Sequence, residues 1–324
     1  MKRGNPAGLA RAKAALAAPA LVLVALALAG CGLAVGPAPS AGQLLITREF
    51  GARVVHRSGV LHAGAHETVL AQLQRSYSVT GGGPHTSVTA IGALAEAPLA
   101  DGETLKWLYY VNGVQVSRAP ARRAVHAGDH VWWDLHDATN SNDAAAVVGA
   151  YPEPFLNGTE GKRLPVRVEC ASDSQAACRL VTARLRAAGV PAAVAAIGSG
   201  GAPETLRVMV GPWAYLEADI EASSIARGPL ESGVYVRIPR GGGQLELLDQ
   251  QGRTLRTLGA GAGLVAATRS AKEAPVWVIT GTDVNGVDLA AHALDRAALS
   301  DHFAVALEGT SVIALPLAEP AAGG

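Results

Sequence analysis

The sequence predicts an α+β protein built from two folded parts. Three observations predict it. Residues 43–137 alternate like short strands around a single helical stretch and carry an Asn112-Gly113 turn. Residues 138–163 are rich in turn formers, including Pro152, Pro154 and Asn157-Gly158. Residues 164–317 interleave apolar strand runs with two amphipathic stretches of helical spacing.

In the first part, Leu44 and Ile46 alternate ahead of Phe50-Gly51, a turn that returns the chain through Val54-Val55. Val69, Leu70, Leu73 and Tyr77 recur at helical spacing, with Thr68 placed to cap the helix. Gly81-Gly82-Gly83-Pro84 breaks the chain, and Ser87–Ile91 alternates again. Trp107–Val111 is a strand of aromatic and branched residues. Asn112-Gly113 then turns it back into Val114–Val116, because both turn positions ask for positive φ. Gly128-Asp129 opens the last strand, His130–Leu135. Strands flanking one helix predict a β-grasp domain over 43–137 and a linker over 138–163. The second part, 164–317, is read as an α/β or ferredoxin-like α+β unit, with possible subdomains at 164–240 and 241–317 and a tail at 318–324. Its elements are a strand at Val166–Glu169, a helix ending at Gly189, and strands at Ala192–Ile197, Leu206–Val210 and Val234–Ile238. A meander over Gln244–Thr268, a strand at Val276–Thr280, a helix at Asn285–Leu299 and two closing strands follow.

The amino terminus carries a different message. Lys2, Arg3, Arg11 and Lys13 precede sixteen uncharged residues, Ala14–Ala29, and then Leu28-Ala29-Gly30-Cys31. A basic start, a short apolar run and small residues before a cut site form a secretory signal over residues 1–30. Sixteen residues reach about 24 Å, whereas a span needs roughly twenty residues for about 30 Å of hydrocarbon. Leu28–Cys31 resembles the bacterial lipobox. That resemblance implies lipidation of Cys31, an acylated amino terminus, and anchoring at the extracytoplasmic face of the cell membrane. A plain membrane helix and a soluble exported protein are the alternatives. Residues 32–42 hold only Gly, Ala, Pro, Ser, Leu and Val and read as a flexible tether.

Charge is balanced at 27 Lys plus Arg against 27 Asp plus Glu. Removal of the four basic leader residues leaves the mature chain mildly acidic, which excludes a basic nucleic-acid footprint. With Cys31 assigned to lipid, Cys170 and Cys178 form an even pair suited to an oxidising compartment. A disulfide, two buried thiols and a redox pair are all compatible with the spacing, though it is not Cys-x-x-Cys.

Five of the fourteen Phe, Trp and Tyr residues lie between 107 and 133: Trp107, Tyr109, Tyr110, Trp132 and Trp133. Neighbours on a strand face opposite ways, so a sheet buried on one side leaves some rings exposed unless another domain covers them. These rings and Asn112 are therefore the ligand-binding candidates. The run Trp107-Leu-Tyr-Tyr-Val-Asn112-Gly113, followed by Gly128-Asp129-His-Val-Trp-Trp-Asp134, resembles the transcobalamin-like C-terminal domain, and Thr47–Gly51 fits the same pattern. The resemblance covers about 95 residues and implies a β-grasp fold. In vitamin carriers that domain covers one face of cobalamin, so cobalamin is a possible ligand. The large helical domain of those carriers has no counterpart here.

Other chemistry is sparse. Seven of nine histidines lie between His56 and His136. Gly64 and Gly128 interrupt the pairs His62/His66 and His126/His130, so no metal site is expected. Asp283 reads as a helix cap. No Gly-x-Ser-x-Gly or His-Glu-x-x-His occurs, and no cofactor or catalytic residue is assigned. The expected function is a membrane-anchored lipoprotein that binds a small molecule through the aromatic surface. A structural or interaction protein of the cell envelope is the alternative.

Overall fold

The computed structural model describes residues 42–59, 66–99, 104–139, 146–199, 204–270 and 273–318, together with positions 1 and 202. The signal, Cys31, the tether before residue 42, His62 and Asn140–Asp143 lie outside the described residues. Within them the chain is a mixed α+β protein rich in sheet.

The first part contains β1 (Gln43–Arg48), β2 (Arg53–Arg57), the helix Val69–Gln74, β3 (Val79–Gly81), β4 (Val88–Ile91), β5 (Leu94–Ala95), β6 (Ala97–Pro98), β7 (Thr104–Val111), β8 (Val114–Gln115) and β9 (His130–Asp137). The main sheet runs β2-β1-β9-β7-β6, with β8 folded back on β7. Its central pair, β1 and β9, is parallel. Strands β3 to β5 form a separate small sheet. Thr68 caps the helix by accepting the Ala71 N–H at 3.2 Å. Asn112 and Gly113 both adopt positive φ, at 55° and 73°, and close the β7–β8 hairpin.

Two sequence signatures turn out to be latches. Asp134 on β9 accepts the Phe50 and Gly51 N–H groups at 3.0 Å each, and the Thr47 hydroxyl also donates to it. The His136 Nδ1 lies 2.6 Å from the same carboxylate and acts as donor, because a carboxylate has only lone pairs to offer. Thr47 in turn accepts the Trp132 indole N–H at 2.7 Å. This holds a turn in which Glu49, Phe50 and Gly51 all have positive φ. The second latch joins Asn112 to the last turn. Its amide donates to Asp129 and to the Gly158 carbonyl at 2.8 Å, and its oxygen accepts the His130 N–H at 2.8 Å.

The second part contains β10 (Val166–Cys170), the helix Gln175–Ala187, β11 (Ala193–Ala196), β12 (Leu206–Pro212), β13 (Val236–Arg237), β14 (Leu245–Leu248), β15 (Thr254–Leu258), β16 (Gly263–Thr268), β17 (Val276–Gly281), the helix Val284–His292, β18 (Ala304–Glu308) and β19 (Ser311–Leu315). Seven strands form one sheet in the order β11-β10-β12-β17-β16-β18-β19. Strands β11, β10, β12 and β17 are parallel to one another, and β16, β18 and β19 complete the sheet antiparallel. A ferredoxin-like sheet is antiparallel throughout, so this sheet, parallel over four strands, departs from the ferredoxin-like expectation. The expected meander also divides: β14 and β15 pair with β13 in a small sheet, while β16 enters the large one. The large sheet takes strands from both sides of residue 240.

Cys170, at the end of β10, and Cys178, in the following helix, are joined in a disulfide with Cα atoms 5.9 Å apart. Both sit in a hydrophobic cluster with Val181, Leu185, Val287 and Trp277, between the sheet and its two helices. The stretch expected as a linker belongs to the core. Val147, Val148 and Phe155 are buried, and the Phe155 ring lies 4.9 Å from that of Trp277. Proline and glycine signalled turns there correctly, but compact turns need not be exposed.

Candidate functional site

The aromatic residues were expected to be partly uncovered, and that expectation fails. Trp107, Tyr109, Tyr110, Trp132 and Trp133 are all buried, none more than 6 % exposed. Two different covers do this. On one face of the sheet, Trp107, Tyr109 and Trp133 pack with Val69 and Leu73 of the helix and with Val88 and Ile91. Tyr109 stacks on Trp133 at 4.8 Å and donates its hydroxyl to the Arg118 carbonyl. On the other face, Tyr110 and Trp132 join Phe50 and Leu45 in one cluster with residues of the second part.

Phe303 is the centre of that seam. Its ring meets Phe50, Tyr110, Trp132 and His136 edge-on, with centroids 5.2 to 5.5 Å apart. His136 also stacks on Phe50 at 4.0 Å. Edge-to-face packing is favourable for aromatic pairs, and each ring removes a large area from water. Gly51 makes the approach possible: a Cβ there would lie 1.8 Å from the Asp301 carbonyl oxygen. Asn112, the polar candidate, is wholly buried and its amide is occupied by the latch described above. Tyr110 and Trp132 thus pack against the second part, Trp107, Tyr109 and Trp133 fill the core of the first, and no ring face is left for a ligand.

Beside the seam lies a cavity of about 720 Å³ with a different lining. Its floor is the β7–β8 hairpin, from Val111 through Gln115 to Arg118. The turn at Thr159–Lys162 forms one wall, and the end of β16 with Glu273–Pro275 forms the other. Four cations reach it, Arg118, Arg123, Lys162 and Arg269, against Glu160, Glu204 and Glu273. Arg118 pairs with Glu160 at 3.7 Å, and Lys162 pairs with Glu204.

Arg123 and Arg269 have no carboxylate partner among the described residues. Arg123 follows a short turn, Pro120–Arg122, and its backbone is fixed because its carbonyl accepts the Val69 N–H at 2.9 Å. It is only 3 % exposed; one guanidinium nitrogen donates to the Ala124 carbonyl at 2.8 Å, while Nε has no partner. Arg269 follows Thr268, whose hydroxyl is fixed on the Ser232 carbonyl at 3.1 Å. Its buried Nε is likewise unpartnered, as is the Oε1 of Gln115, which is 4 % exposed. Burial lowers the pKa of the Arg269 guanidinium, with Glu160 pulling the other way. Burial raises the Tyr109 phenol, and Arg123 and Arg118 oppose it. Both arginines line the cavity, and neither pairs with a carboxylate of the described residues.

A second charged cluster gives the contrast. Buried Glu169 is paired with Arg167 and, at 2.9 Å, with Arg207, which also meets Asp219 and, at 3.0 Å, Glu221. The Glu169 hydrogen bond heads the causes that raise the Arg207 guanidinium. Each of its charged groups has an ion-pair partner, and it fastens the Asp219–Ser223 turn to the sheet.

The cavity residues escaped the sequence reading. Arg122-Arg123 was visible as a basic pair, but Arg269 lies far along the chain, and no motif links them. His126 sits 3.4 Å from Asp129, whereas His130 is buried with its pKa lowered to about 4 by desolvation, then by Arg57 and Arg296. Among the described residues no group of three or more His, Cys, Asp or Glu is placed to hold a metal, and no helix is long and apolar enough to cross a membrane. No protein-family model matches the chain, and no curated protein matches it.

Proposed function

We propose that this protein is a membrane-anchored, extracytoplasmic lipoprotein, lipidated at Cys31, whose folded body binds a small molecule in the cavity between its two parts. The observation that carries the binding reading is the lining itself: Arg123 and Arg269 reach one cavity, and neither pairs with a carboxylate of the described residues. Ligand sites are concave, with a few convergent polar groups that fix orientation. We read residues 43–137 as a β-grasp domain. The parallel pair β1–β9 at the centre of the sheet and one helix packed on a face support that reading. A corrin ligand stacked on the aromatic candidates is not part of this proposal, because those rings face Phe303 or the helix.

The anchor is tested by metabolic labelling with a fatty-acid analogue. The wild type should label and fractionate with membranes, and Cys31→Ala should do neither; equal labelling of both would refute the anchor. Binding is tested by hydrogen exchange on the full chain in detergent micelles, with a panel of neutral, cationic and anionic small molecules. Protection of segments 111–123 and 159–164 by at least one compound is expected. Protection confined to other segments, or none, would refute the site.

The envelope-interaction alternative has its own observation. Tyr215, Ile220 and Leu230 are exposed at 46, 84 and 65 % within one stretch of the second part. Exposed apolar side chains so grouped suit contact with another surface.

A further inference from the structure

We infer that the ligand of this cavity is a small organic oxyanion, such as a sugar acid, a hydroxycarboxylate or a sugar phosphate, with Arg123 and Arg269 as its counter-charges. The inference rests on the binding reading above and adds the ligand's chemistry.

The charge count leads there first. Arg118 and Lys162 are matched by Glu160 and Glu204, so among the described residues buried Arg123 and half-buried Arg269 face Glu273 as the remaining carboxylate of the lining. The described lining thus carries one net positive charge. A guanidinium offers a planar fork of donors that matches carboxylate and phosphate oxygens. Each of these two has an Nε without a partner, and Arg269 makes no hydrogen bond or ion pair with any described residue.

The second requirement comes from the remaining lining. Apolar side chains from Val111, Val114, Leu164 and Pro275 give the rest of the lining a surface for the carbon frame. The volume of about 720 Å³ lies within the range of small-molecule sites.

The alternative is that the arginines only support the fold. That predicts a loss of stability on their removal. A binding role predicts no such loss, since a cation without a partner in the free protein adds little to its stability. Arg269 is the better probe, because Arg123 also bonds the Ala124 carbonyl.

The probes are D-glucuronate, citrate and inorganic phosphate, set against neutral D-glucose, titrated into the full chain in detergent micelles with hydrogen exchange as readout. Glucuronate or citrate should protect segments 111–123 and 159–164, phosphate more weakly, and glucose not at all. Arg269→Gln should weaken that binding at least tenfold with an unchanged or raised Tm, and Arg269→Lys should recover part of it. Protection by none of the three anions, or equal protection by glucose, overturns the inference. So does an Arg269→Gln variant that binds normally or melts earlier. If neutral or cationic compounds protect the cavity and anions do not, the binding site stands and the oxyanion falls.

Discussion

The seam around Phe303 and the cavity beside it are neighbours on the same strands, yet they are built on opposite rules. Strand β7 supplies Tyr110 to the seam and Val111 to the cavity, one residue apart. In the seam the rings interlock edge to face, and the Thr47, Asp134 and Trp132 side chains are joined by hydrogen bonds. In the cavity, the guanidiniums of Arg123 and Arg269 stand without a carboxylate partner among the described residues. Matched groups stabilise a fold, and unmatched ones add little to it and gain value only when something binds. Dense aromatic residues therefore mark the joint in this protein, while a few scattered cations mark the opening.

The comparison breaks most visibly at Phe303. Phe303→Ala should cost about 4 kcal/mol, because it empties the space between four rings. Urea denaturation would measure this, and a loss under about 1 kcal/mol would mean that the seam is not holding the parts together. Asp134→Ala should follow, at about 3–4 kcal/mol, since it strands the buried Phe50 and Gly51 N–H groups and the His136 ring.

Acid should act on the same region. The His130 pKa is about 4 in the folded state, against an ordinary value near 6.5. The unfolded chain thus takes up its proton first. The full stability is present above about pH 6.5, falls as pH drops towards 4, and changes no further below that through this group. The shift amounts to about 3 kcal/mol. His130→Leu should flatten this part of a stability curve recorded between pH 7 and 4, and an unchanged slope would refute it. Reducing Cys170–Cys178 should cost about 2.5 kcal/mol through release of a short loop, read as a lower urea midpoint in reductant. The smallest effect belongs to the cavity: Arg269→Gln should leave folding stability unchanged or raise it by under about 0.5 kcal/mol. A loss would make the cavity a second structural region and erase the contrast.

Much of the local structure was legible from residue order. The Asn112-Gly113 turn, the Thr68 cap and the Asp283 cap depend on neighbours a few residues away, and each forms as read. The latch motifs were legible as a pattern without their meaning. Thr47–Gly51 and Gly128–Asp134 stood out, but only the pairing of β1 with β9 brings Thr47 beside Asp134. Residues 146–163 misled because turn formers suggested an exposed linker, whereas the turns carry Val148 and Phe155 into the core. The parallel order of β10, β11 and β12 was also out of reach, since strand direction depends on whether each connection turns back at the same end of the sheet or crosses to the other.

By itself, then, the chain's order of residues determined the mixed α+β class, the turns, the caps and the expectation of an anchor at Cys31, because each depends on a few adjacent side chains. The tertiary structure alone decided which rings are covered and which charges meet. Trp132 and Trp133 are adjacent in sequence, but one faces Phe303 and the other Tyr109, and no local pattern says what lies beyond either face of a strand. The same holds for Arg123 and Arg269, brought to one cavity only when both parts are folded.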